Sequence, residues 1–101
     1  MRQDNRKLDG DLAVDESLEF SGLLGGSIRV VSGGSLRLTG ECVGDLSVEP
    51  GGHAVIEGTV GGDVINRGIV EIRGAVKGKV ASRGGTLIRA PDALIRGVVE
   101  Q

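Results

Sequence analysis

Tryptophan and tyrosine are absent from this chain, and phenylalanine occurs once, at Phe20. Deep ligand pockets and protein recognition hot spots lean on aromatic side chains, so neither is expected here. The single cysteine, Cys42, has no partner for an internal disulfide and cannot build a thiolate cluster. That usage fits a reducing compartment and excludes zinc of the finger type. No unbroken apolar run exceeds a few residues and the opening MRQDNRKLDG is polar, so neither a membrane span nor a signal peptide is expected, and the chain is placed in the cytoplasm. An excess of either charge is missing too. Twelve basic and fourteen acidic residues are intermixed, for a net charge of −2, which leaves no basic footprint for nucleic acid.

What remains is plain. Of 101 residues, 39% are hydrophobic and nineteen are glycine, against two prolines. The length suits one domain near the small end for a self-sufficient core. The aliphatic residues are too many and too evenly placed for a disordered chain, so the glycines punctuate something ordered.

Gly22, Gly40, Gly58 and Gly74 set a frame with steps of 18, 18 and 16 residues. Reading from each frame glycine, small or apolar residues fall into columns: Leu24, Cys42, Val60 and Val76, then Ile28, Leu46, Val64 and Val80. Counting back from the next frame position gives Leu36, Ala54, Val70 and Thr86, then Leu38, Ile56, Ile72 and Ile88. Leu8, Leu12, Leu18 and Phe20 continue these columns into a degenerate first unit. Within a unit, SLRLT and IVEIR alternate apolar with polar residues, the period of half-buried strands. Such a unit is too short for a strand, a crossover helix and a second strand. Short strands joined at glycine-rich corners such as SGGS, PGGH and NRG, each turn lying on the last, meet the pattern. The expected fold is an all-β, single-domain parallel β-helix of about five to six turns over residues 8–99, with a polar tail at 1–7 and a short end at 100–101. Glu19 is expected beside Arg37 and Glu57 beside Arg73, with Asp45 and Asp63 an unfavourable neighbour pair.

The phrases GTVGGDVINRGIVEIRGAVKGKV and LIRAPDALIRGVV resemble the bactofilins, polymer-forming bacterial cytoskeletal proteins, over most of the chain from Leu8 to Val99. The resemblance implies a right-handed, triangular β-helix that assembles end to end into nucleotide-independent filaments. It also implies a scaffold for cell-wall or polarity factors beneath the inner membrane. Here the chain departs from the pattern, because MRQDNRK lacks the apolar stretch with which some of the family bind membrane.

Polymerisation also follows from the coil itself, whose first and last turns carry unpaired strand edges. The candidate interface is Leu12, Val14, Leu18 and Phe20 at one end and Leu94, Ile95, Val98 and Val99 at the other. The partner is then a second copy of the chain, with no cofactor, no metal and no catalytic residue. Two other readings compete. VGDLSV and IEGTVG resemble the hexapeptides of left-handed acyltransferases, which would make the chain a trimeric enzyme using His53 as general base. Pro91 and the polar N-terminus could instead blunt the ends, giving a non-polymerising module that presents one sheet face to a partner. Cys42, in an inward column, reads as a small buried apolar group.

Overall fold

A computed structural model describes residues 2–4, 7–8, 10–91 and 93–100, with side chains described at 7, 10–91 and 93–95. The strands follow the glycine frame. β1 (Arg2–Asp4) precedes a first turn of β2 (Lys7–Leu8), β3 (Leu12–Val14) and β4 (Ser17–Phe20). Further turns are β5 (Leu23–Leu24), β6 (Ile28–Val30) and β7 (Ser35–Leu38), then β8 (Glu41–Cys42), β9 (Leu46–Val48) and β10 (His53–Ile56). After them come β11 (Thr59–Val60), β12 (Val64–Asn66) and β13 (Ile69–Ile72), and the chain finishes with β14 (Ala75–Ser82), β15 (Thr86–Arg89) and β16 (Leu94–Glu100). Every pairing between them is parallel, and the described residues contain no helix. The fold is a parallel β-solenoid of about five turns with three strands to a turn.

Each of its three faces stacks one strand per turn. The first runs β2, β5, β8, β11 and the start of β14. The second runs β3, β6, β9, β12 and the end of β14, and the third runs β1, β4, β7, β10, β13 and β15. β16 lies on β14 and extends the first two faces together.

The inward columns are those of the sequence pattern. Leu24 lies on Cys42, Cys42 on Val60 and Val60 on Val76, all nearly or wholly excluded from water. Leu18, Leu36, Ala54 and Val70 form a second stack, and Phe20, Leu38, Ile56 and Ile72 a third. Branched aliphatic side chains suit a narrow interior where each residue packs on its counterpart about 4.8 Å away, and burying each contributes roughly 1.5–3 kcal/mol. A further column, Val14, Val30, Val48, Asn66 and Ser82, also points inward and escaped the frame reading.

Two kinds of corner need glycine. Gly40, Gly58 and Gly74 lie on one another so closely that a Cβ on Gly58 would overlap the Gly40 carbonyl oxygen. Gly33 and Gly51, in the longer corners, have φ of 85° and 87°, in the left-handed region that other residues rarely adopt.

The structure corrects the expected map at both ends. Residues 2–4 are no tail: β1 pairs in register with β4, Arg2 opposite Leu18 and Asp4 opposite Phe20. In the last turn Val70 faces Leu87 and Ile72 faces Arg89, so Thr86 and Ile88 leave the inward columns assigned to them. The corner Arg83-Gly84-Gly85 holds one residue more than Arg67-Gly68, with Gly84 at φ 77°, and a slip of one residue turns every side chain over. Leu87 therefore packs on the core while Ile88 is 48% exposed.

Candidate functional site

The candidate interface residues divide by depth. Leu12 is half-buried and Val14 is buried, both on β3, the edge strand of the second face. Leu18 and Phe20 are on β4 and wholly buried, because β1 supplies the outer strand beyond them. They belong to the core and not to an end surface. At the other end Leu94 is 71% exposed and Ile95 is half-buried against the core. The side chains of Val98 and Val99 lie outside the described residues, while their backbones pair with Val80 and Ala81.

What the ends do share is backbone. β1, β2 and β3 at one end and β15 and β16 at the other each have a strand on one side only among the described residues. Such edges keep unsatisfied N–H and C=O groups that favour a further strand. Beside β15 a cleft of about 530 Å³ is lined by Glu71, Arg73, Ile88, Arg89, Ala90 and Pro91. Apolar Ile88 and two guanidinium groups thus border the last turn.

The acidic column resolves differently from the expected repulsion. The Ser27 amide donates to Asp11 Oδ1 at 2.9 Å, and the Asp45 amide donates to Ser27 Oγ at 3.0 Å. The Asp63 amide donates to Asp45 Oδ1 and the Lys79 amide to Asp63 Oδ1, each at 2.8 Å. One side-chain oxygen per turn accepts the backbone N–H of the turn above, and charge-assisted bonds of this kind offset the closeness of the carboxylates. The mark of this run in the sequence is an Asp or Ser immediately before Leu12, Ile28, Leu46 and Val64, the first inward residue of the second face in four successive turns.

On the third face Arg37 stands between two carboxylates, 3.6 Å from Glu19 and 2.8 Å from Glu57. Glu57 hydrogen-bonds Arg37 and also has Arg73 beside it as expected, a favourable charge, while Arg73 itself pairs with Glu71 at 2.6 Å. The hydrogen bond and charge of Arg37 hold the Glu57 carboxyl below its ordinary range. Burial pushes the Cys42 thiol up, the wrong direction for a nucleophile. His53 opens β10, exposed, with Ser35 and Ile69 as its neighbours along the face.

No family model matches the chain, and no curated protein or solved structure proves similar to it. No helix among the described residues is long and apolar enough to cross a membrane.

Proposed function

We propose that this chain is a structural protein, a bactofilin-like subunit that stacks end to end into filaments without nucleotide and serves as a scaffold in the cytoplasm. The observation that carries the reading is the pair of open ends: strands in one parallel register, with a bare edge at each end and no covering helix among the described residues. A free edge is a template for a further strand, and soluble solenoids ordinarily cover it. The regular column of Leu, Ile and Val supports the same reading, since a stack in which each turn lies on a copy of itself continues naturally into a second molecule.

Negative-stain electron microscopy of the purified protein, with no nucleotide added, tests the proposal. Unbranched filaments giving a diffraction repeat of roughly 4.8 Å along their length are expected. A discrete monomer or trimer at every concentration tried would overturn it.

A further inference from the structure

We propose that the second face is a docking surface for a second copy of this chain, laid on it face to face with the two coils antiparallel. The inference goes beyond the filament reading and does not need it, because a discrete pair of subunits and a pair of filaments would share the same contact.

The face suits a flat partner. Its outward column runs Ala13, Arg29, Ser47, Ile65 and Ala81, one residue per turn. Ala13, Ser47 and Ala81 are small enough to let two sheets approach to the roughly 10 Å of face-to-face packing. A shallow cleft of about 490 Å³ crosses the first four turns, from Leu12 and Ala13 to Ser47 and the exposed Ile65.

The two corners that flank this face change sign along the coil. The corner before its strands opens on Asp11 and ends on Lys79, and the corner after them opens on Asp15 and Glu16 and ends on Arg67 and Arg83, all exposed. Lys79, Arg67 and Arg83 have no carboxylate within ion-pair range among the described residues. A two-fold axis along the strand direction through Ser47 exchanges the first turn with the fifth and the second with the fourth, while keeping each corner over its own counterpart. Asp11 then meets Lys79 of the second copy, Asp15 and Glu16 meet its Arg83, and Ile65 enters the cleft beside its Arg29. Each contact occurs twice, so the surface is self-complementary. Coils laid parallel about a two-fold axis would instead set Asp11 against Asp15 and Glu16, and Lys79 against Arg83. Near the antiparallel axis Asp45 and Glu49 face their own counterparts, but Arg29 holds Glu49 at 2.5 Å and the Asp63 amide donates to Asp45 Oδ1 at 2.8 Å, which offsets the repulsion.

Cysteine cross-linking of the full chain under mild oxidation tests the pairing, since the buried Cys42 stays out of the reaction. Ser47→Cys is expected to form a disulfide dimer. Arg29→Cys and Ile65→Cys should give little dimer alone and about fivefold more when mixed, because only antiparallel coils bring these two positions together. End-to-end contact cannot imitate the result: even across two abutting first turns, Arg29 and its counterpart stand three strand spacings apart, roughly 14 Å, too far for a disulfide. The Ser47→Cys dimer should fall about three- to tenfold between about 50 and about 500 mM salt as the attraction is screened. Adding Arg67→Glu with Arg83→Glu, or Asp15→Lys with Glu16→Lys, should lower it similarly, and mixing those two variants should restore it, a recovery that misfolded chains would not show. Circular dichroism verifies that each variant retains its strands. Dimer from Arg29→Cys alone, or none from Ser47→Cys at low salt, would overturn the antiparallel pairing. Filaments that lack the cross-link overturn this inference and leave the filament reading standing; a cross-linked pair that never elongates does the reverse.

Discussion

Two stretches of the same inward column, one beneath the middle turns and one beneath the last, solve a corner in different ways. Val30 and Val48 lie under corners that satisfy themselves with backbone: the Gly34 amide donates to the Val31 carbonyl and the Gly52 amide to the Glu49 carbonyl, each at 2.9 Å. Apolar fill suffices beneath them. Asn66 and Ser82 lie under the corner where the register slips and the third face ends. There Asn66 Nδ2 donates to the Thr86 carbonyl at 2.7 Å, and Ser82 Oγ to the Gly85 carbonyl at 3.3 Å. Corner length is not the cause, since Val14 and Leu18 are spaced as closely as Asn66 and Val70, yet Val14 is apolar. A buried polar side chain enters the stack where backbone carbonyls would otherwise lose their partners.

The contrast can be broken most violently at the corner that does not vary. Gly58→Ala forces a methyl group into the Gly40 carbonyl, and a loss of more than about 4 kcal/mol, read as a collapsed urea midpoint, is expected. Val30→Asn carries the polar solution to a corner that has no use for it. Its amide would be buried between Val14 and Val48, and about 3 kcal/mol should go, measured the same way. The reverse change, Asn66→Val, is expected to cost only about 1 kcal/mol. It removes the donor to Thr86 but also removes Asn66 Oδ1, a buried acceptor with no partner. If Asn66→Val proved as costly as Val30→Asn, the idea that Asn66 serves carbonyls otherwise left without partners would fail.

The smallest effect belongs to the outer surface of the third face. Because Arg37 lowers the folded-state pKa of Glu57, the contribution of that pair is present above the ordinary glutamate range and is lost as the pH falls through the lowered value. Glu57→Gln should therefore change stability by less than about 0.5 kcal/mol at neutral pH and flatten the acid limb slightly, as a pH series of urea melts can measure.

How much was legible can be judged residue by residue. Leu24, Cys42, Val60 and Val76 announced their stack because equal spacing between like residues survives translation along a coil. Asp45 and Asp63 alone read as a like-charge clash, because a sequence shows that carboxylates are adjacent but not that a backbone amide sits between them. Thr86 and Ile88 fall inward on a constant step of 16, and Arg83-Gly84-Gly85 defeats that step because its extra residue is a glycine, which carries no apolar mark. Phe20 reads as an end residue because Arg2 to Asp4 show no alternation to betray a strand.

By itself, the order of residues determined that this chain coils, which side chains form four of the five inward columns through the middle turns and where glycine is indispensable, since all of these follow from a local period repeated at nearly constant intervals. The tertiary structure alone decided where that period slips, which carboxylate meets which guanidinium, and that one end stops after two faces while the other begins with one. Those outcomes depend on how a whole turn seats on its neighbour, a choice made by hydrogen bonds between residues some 16 to 20 positions apart.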